Sequence, residues 1–307
     1  MNNTKNIFLK SIIFISILRS DLASPEPFIV QQPNGEKITI INKGNHLQGW
    51  HEYNGWTITK NNDGWWVYAE DNNGRKLLPS TFKVGIDQEP TQQSSIQKGI
   101  RPEPIVLIDD APIPDIQNTR TDTFHVPMIL IEFPDAAATY TPEQFELIMN
   151  QEGYTHLNYE NTGSFRDFYQ EISYGQFLPI AEVSEWFTAP YEHDHYSYNN
   201  GYAVVRQLVR AMVDSLEASG FDWSGYDNDG DGYVDALNLV HQGAGAEEGD
   251  YSNIWSHKSS LGNLAVTYDG VTINSYNMNP ETQLGNICSI GVLAHEFGHA
   301  LGLPDLY

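Results

Sequence analysis

Only one cysteine, Cys288, occurs in the 307-residue chain, so no intrachain disulfide can brace the fold. That scarcity does not argue against an extracellular location; it leaves stapling to packing or to metal ions. It also excludes a latency switch built on a prosegment thiolate, because Cys288 lies beside the C-terminal motif and reads as a small buried hydrophobe. Basic residues are scarce too: 16 Lys and Arg face 40 Asp and Glu, a formal charge of −24. Such a surface repels nucleic acid and anionic lipid and favours solubility and cation binding. Long apolar runs are missing. The run from Ile12 to Leu18 is too short to span a bilayer. Preceded by Lys5 and Lys10, it predicts a signal peptide over residues 1–23, hence secretion with no stable membrane anchor.

What remains is ample for a core, with 40% hydrophobic and 12% aromatic residues. Residues 24–87 predict a small β-rich module. Phe28 to Val30 and Ile38 to Ile41 flank a Pro33-Asn34-Gly35 turn, followed by strands at Gly55 to Thr59 and Trp65 to Ala69. Its aromatics fit cross-strand packing, with a carbohydrate-binding face as the alternative. Residues 88–122, rich in Gln, Pro, Ser and Asp, predict an extended linker open to proteolytic nicking. From residue 123 to 307 strands alternate with helices, predicting an α+β domain with a mixed sheet. Its elements are an apolar strand from His125 to Phe133 and a helix opened by Thr141-Pro142-Glu143. A second helix begins at Ser164, with Asp167 completing a capping box, and a longer one spans Tyr202 to Ala218. A strand follows from Val234 to His241, then β candidates near Ala265 to Tyr268 and Val271 to Tyr276.

Two motifs carry chemistry. The first is His295-Glu296-Phe297-Gly298-His299, continuing through Gly302 and Pro304 to Asp305. The stretch from Ile290 to Leu301 predicts a helix, and at about 100° and 1.5 Å per residue His295 and His299 share one face, one turn apart. Two neutral imidazoles so placed suit zinc, and Glu296 is positioned to take a proton from water. Gly302 can adopt the left-handed conformation that closes a helix, and Pro304 prevents continuation. The turn can bring Asp305 back as a third, oxygen ligand, where related motifs carry a third His, a Glu well downstream being the alternative in related zincins. The second motif is the acidic loop from Asp227 to Asp235. Asp227, Asp229 and Asp231 alternate as calcium ligands do, Tyr233 offers a carbonyl, and Asp235 sits at the ninth position. The twelfth position holds Asn238 instead of Glu, which predicts a differently closed loop. His193 and His195 read as a surface loop. His241 reads either as cleft-lining or as structural.

Together these stretches resemble the immune inhibitor A-type family of secreted bacterial metallopeptidases. The resemblance rests on Ile129 to Asp135 (ILIEFPD), Gly163 to Tyr169 (GSFRDFY), Ile172 to Phe177 (ISYGQF), the acidic loop, His241 to Gly245 (HQGAG), Ile254 to Lys258 (IWSHK) and Gly302 to Asp305 (GLPD). It covers residues 124–307, and the Trp-rich stretch at 46–80 looks like the family's propeptide. It implies a zincin-like catalytic domain preceded by a β-rich prodomain. It further implies an endopeptidase acting on polypeptides, made as a zymogen held by its own propeptide, with catalytic zinc and structural calcium. It carries His295 and His299 over as ligands and Glu296 as the base. It also implies a domain continuing beyond Tyr307, so that activity is expected of the whole protein rather than of this stretch alone. A competing expectation is a calcium-dependent extracellular adhesion module with an inactive metal site. A strand before the motif helix, around Val271 to Tyr276, is the expected partner for substrate by β-addition.

Overall fold

Apolar residues at alternating positions of the N-terminal region form a six-stranded antiparallel meander in the computed structural model, which describes residues 22–71, 76–91, 95–117, 119, 123–156 and 161–304. The predicted signal peptide lies outside the described residues. The strands are β1 (Phe28–Gln31), β2 (Lys37–Asn45), β3 (Gln48–Tyr53), β4 (Trp56–Lys60), β5 (Trp66–Asp71) and β6 (Leu77–Lys83), paired in chain order. One face buries Ile38, Ile40, Trp56, Ile58, Trp66, Tyr68 and Val84. Trp50 is buried as well, and Trp56 meets Tyr68 edge to face, so most of this region's tryptophans are spent on the expected packing. Gln32, itself buried, donates to the carbonyls of Trp66 (3.1 Å) and Val84 (2.7 Å) and accepts from Trp66 N–H at 2.9 Å. Its amide thereby satisfies backbone groups that a dry core would strand.

The chain divides into two units, one comprising Asp21–Val106 with Glu247–Asp250, the other Leu107–Ala246 with Tyr251–Tyr307. The expected linker is thus shared between them. In the first unit Ile96 joins the core, Thr57 donates to Ile100 O at 2.6 Å, and Ile105 N–H reaches Leu47 O at 2.7 Å. Short polar segments rich in Pro find backbone partners along sheet edges, so low hydrophobicity did not leave this stretch free. The excursion at 247–250 is held by Ser24 N–H and Asn42 Nδ2, which donate to Glu247 O at 2.8 and 3.1 Å, and by His51 Nε2 at 2.7 Å from Gly249 O.

The second unit is a mixed α/β layer structure, as the alternation of elements predicts. It contains β7 (Phe124–Glu132), α1 (Pro142–Asn150), β8 (Thr155–His156), β9 (Asn161–Thr162), α2 (Phe165–Ile172), β10 (Pro179–Thr188) and α3 (Tyr202–Ala218). They are followed by β11 (Leu237–Ala244), β12 (His257–Ser260), β13 (Val266–Tyr268), β14 (Val271–Ile273), β15 (Ser275–Gln283), β16 (Asn286–Ile287) and α4 (Ile290–Ala300). The main sheet runs β10-β7-β11-β15-β12; its first four strands are parallel, and β12 is an antiparallel edge. Thr141 and Ser164 cap α1 and α2; at the latter, Asp167 N–H donates to Ser164 Oγ (3.1 Å) while Ser164 N–H donates to Asp167 Oδ2 (2.9 Å). The β candidate at 271–276 is corrected. It splits into β14, paired with β13 and bridged at Thr272 to Tyr233 of the acidic loop, and the start of β15, which lies between β11 and β12 and has no free edge for another strand. No helix among the described residues is long and apolar enough to cross a membrane.

Burial holds two histidines neutral, pushing His51 in the first unit and His241 in the second from 6.5 down to about 4. Between those values the unfolded chain takes up protons that the folded chain refuses. Stability is therefore fully present above pH 6.5 and declines as pH falls toward 4, by up to about 3 kcal/mol at each position. Melting temperature measured from pH 7 to 4.5 is expected to drop accordingly, and His51→Phe, which keeps an aromatic ring beside Phe28 and Trp66, is expected to flatten the first unit's share.

Candidate metal centre

The helix α4 follows β15 through the β16 hairpin and is buried along most of its length, from Val292 through Phe297. Phe297 is the wedge that fixes it. Its ring meets Phe124, Phe165, Tyr169 and Phe177 at centroid distances of 6.0, 5.0, 5.2 and 6.4 Å. These partners come from β7, α2 and the segment before β10, so one residue of the motif is gripped by three parts of the unit. Tyr169 adds a polar tie, its hydroxyl donating to Ala294 O at 2.8 Å, immediately before His295. Gly298 packs beside it; a Cβ there would make only ordinary contacts, 3.9 Å from the Tyr169 hydroxyl and 3.5 Å from Leu303 Cδ1.

With the helix held, the two imidazoles face each other. His295 Nε2 and His299 Nε2 lie 3.1 Å apart with their rings nearly perpendicular. For Zn–N bonds of about 2.05 Å this spacing corresponds to an N–Zn–N angle of about 98°, within reach of tetrahedral coordination. The donor set therefore fits zinc. Helix closure also selects the tautomer. Gly302 takes φ +83°, its N–H bonds His299 O at 2.9 Å, and Leu303 N–H bonds Gly298 O at 2.9 Å, the Schellman pattern. Leu303 O then lies 2.7 Å from His299 Nδ1, which places the ring proton there and turns the Nε2 lone pair toward His295. Glu296 is fully buried on the same helix. Asp305, expected as the third ligand, lies outside the described residues.

In the acidic loop, Asp227, Asp229 and Asp231 come together, with oxygens within 4.8 Å of one another. Burial, then the charges of Asp229 and Asp227, raise the Asp231 carboxyl. Asp235 is not among the three. Its Oδ2 accepts from Asn228 N–H at 2.5 Å, and burial raises its carboxyl to about 7. Tyr233 donates its N–H to Asp231 Oδ1 at 2.8 Å. Asn238, at the twelfth position, is already in β11, where its Oδ1 accepts from Asn277 Nδ2; a strand, not a helix, closes this loop. His193 and His195 lie on a short 3₁₀ turn, their rings packed on Phe133 and Tyr191.

Residues 108–115 bring these parts together, which no sequence feature announced. Ile108 O accepts from Ser260 N–H and Ser259 Oγ, both at 2.8 Å, on the edge strand β12. Asp109 pairs with Lys258, and Asp110 Oδ1 accepts from Asn274 Nδ2 at 3.2 Å. Ile113 rests on Gly302, and Asp115 N–H donates to Asp229 Oδ2 at 2.7 Å. A second unannounced residue is Glu281 of β15. Fully buried, it accepts from the N–H groups of Thr139 (2.5 Å), Tyr140 (2.7 Å) and Gly243 (3.0 Å), clamping two loops at the C-terminal rim of the sheet. An isolated carboxylate in an otherwise neutral run was its only signal.

The sequence model for the catalytic domain of the immune inhibitor A peptidases (M6) matches residues 110–307. The chain is 28% identical over 243 residues to the pre-pro-metalloprotease PrtV of Vibrio cholerae serotype O1 (strain M66-2), which covers 63% of this chain and 26% of that protein. It is 30% identical over 177 residues to immune inhibitor A of Bacillus thuringiensis subsp. alesti, covering 47% of this chain and 25% of that protein. The matched region thus spans about a quarter of the length of these relatives.

Gly302→Ala tests the helix closure. A Cβ there meets Ile113 Cγ2 at 2.9 Å and forces a left-handed alanine. The expected loss is about 1–2 kcal/mol in urea unfolding, accompanied by weaker zinc binding in a competition titration, because the Leu303 carbonyl that orients His299 moves with the turn.

Proposed function

The chain belongs to the immune inhibitor A peptidase family, and from that premise we propose that it supplies the prosegment and catalytic region of a secreted zinc endopeptidase made as a zymogen. The observation that carries this reading is the pair of imidazole nitrogens 3.1 Å apart on a helix whose next residue, Glu296, is a buried carboxylate. His295 and His299 would hold the ion through Nε2, with Asp305 beyond the Gly302 turn as third ligand. When bound, zinc supplies Lewis acidity, polarising the scissile carbonyl and making water easier to deprotonate.

Each remaining step belongs to the chain itself. Glu296 accepts a proton from the attacking water and delivers it to the departing amine, so its carboxylate is regenerated at the end of the cycle. Leu303 O keeps the proton of His299 on Nδ1 throughout. Tyr169 and Phe297 hold the helix so that the ligand face does not rotate. The antiparallel edge strand β12 is covered by Ile108, whose carbonyl accepts from Ser260 N–H, so a polypeptide substrate adds its backbone there only once that segment is displaced. The name pre-pro-metalloprotease borne by one relative supports assigning the N-terminal meander, residues 24–87, as an inhibitory propeptide and residues 88–122 as the region cut on activation. The short apolar leader supports export.

Calcium at Asp227, Asp229 and Asp231 fits the same reading, with the Tyr233 carbonyl and Asp235 as further ligands. Three carboxylates within 4.8 Å repel one another strongly unless a cation neutralises them. The role assigned to it is structural, since the loop leads directly into β11 of the main sheet.

Full-length protein is expected to clear casein and to lose this activity with a zinc chelator. Glu296→Ala is expected to lower kcat/KM by about 10²- to 10⁴-fold with zinc content unchanged; an unaltered rate removes Glu296 as the base. Asp231→Asn is expected to lower the melting temperature in calcium but to change little in calcium-free buffer, and an equal loss in both would dismiss the cation.

A further inference from the structure

Three asparagines lie where the sheet should be apolar. Ala236, just before β11, and Val240 within it face the core shared with Leu293, Ala294 and Phe297 of α4. Asn238, between them with the strand's two-residue alternation, faces the same way. Its register partner in β15 is Asn277, and Val240 pairs with Asn279, so all three asparagines occupy one face of two adjacent strands. Each is wholly shielded from solvent.

Their amide orientations are constrained by neighbours. Asn277 Nδ2 donates to Asn238 Oδ1 at 2.9 Å, and Asn279 Nδ2 donates to Leu239 O at 3.3 Å. Turning Asn277 or Asn279 over alone would set oxygen against oxygen, while turning Asn238 and Asn277 over together exchanges their roles and again leaves one donor and two acceptors. The atoms that remain are one donor, Asn238 Nδ2, and two acceptors, Asn277 Oδ1 and Asn279 Oδ1, and these meet no protein partner among the described residues. A buried amide atom without a hydrogen bond is costly, and here three belong to residues on one face of two adjacent, register-paired strands.

We propose that Asn238, Asn277 and Asn279 form a binding site for a single internal water molecule that cross-links β11 and β15 beneath α4. The complement of one donor and two acceptors is a ligand that accepts once and donates twice, which is what water does. A metal ion or ammonium would confront the Asn238 N–H; an anion would confront two carbonyl oxygens. Neighbouring strands lie about 4.8 Å apart, a gap that a molecule with two hydrogen bonds of about 2.8 Å can bridge. Three protein partners is also the usual coordination of buried water. The site ties together the central strands on the face against which the motif helix packs, so the water helps set the floor on which the helix rests.

A near-atomic-resolution crystal structure of the full-length protein is the direct test. One ordered water within hydrogen-bond distance of Asn277 Oδ1 and Asn279 Oδ1 is expected. A dry site, with the amides rotated to pair with one another, overturns the proposal. Stability provides a second readout. Asn277→Val alone strands the other two polar groups and is expected to lower the melting temperature by several degrees. The triple variant Asn238→Val/Asn277→Val/Asn279→Val removes every polar atom of the site and is expected to recover most of that loss. A triple variant that loses as much as the three single variants summed argues against a shared ligand and rejects the site.

Discussion

The fold's chemistry depends on how the last turn of α4 is closed. Gly302 alone can take the left-handed conformation without strain, and that conformation directs Leu303 back over the helix end. The carbonyl delivered there fixes a proton on His299 Nδ1, which leaves the opposite nitrogen as a lone pair. A hydrogen bond made by backbone thus decides the coordinating power of a side chain. The aromatic cluster around Phe297 performs the complementary task, preventing the helix from rotating about its axis. One constraint sets the electronic state of the ligand, the other its direction.

Electrostatics and packing are segregated within the catalytic unit. The core around Phe297 is aromatic and aliphatic, whereas carboxylates gather in the acidic loop, at Glu281 and at Glu296 on the motif helix itself. Glu281 is tolerable inside because three backbone N–H groups surround it, each of which would otherwise lack an acceptor. The loop carboxylates are tolerable for a different reason, since several accept N–H groups of the same loop: Gly230 and Gly232 donate to Asp227, and Tyr233 to Asp231.

Much of this was legible in the chain. The motif helix was readable because its period, its glycine stop and its proline agree with one another. The Ser164 cap and the β7 run were readable for the same reason, local signals without competitors. The strands β12 and β15 were not. The sequence of β12, His257-Lys258-Ser259-Ser260, has no apolar alternation, and β15 carries Asn277, Asn279, Pro280 and Glu281, residue types depleted in strands. Both are strands because the sheet needs them, and burial overrides propensity. The strand expected from Val234 begins instead at Leu237, the acidic loop having used the intervening residues to close on itself. At the centre, spacing located the two imidazoles, but nothing local could reveal that Tyr169, more than a hundred residues earlier, would hold the helix beneath them.

The wedge at Phe297 also has a kinetic meaning. Its partner Phe124 opens the first strand of the sheet, and α4 follows every strand of that sheet in chain order. Their meeting closes a loop that contains nearly the whole unit, and parallel pairings between distant strands must form before it is rewarded. Contacts of such long sequence separation make for slow, cooperative assembly. The helix that carries the paired imidazoles is thus held in its place by contacts of long sequence separation, so its orientation depends on strands that begin far earlier in the chain.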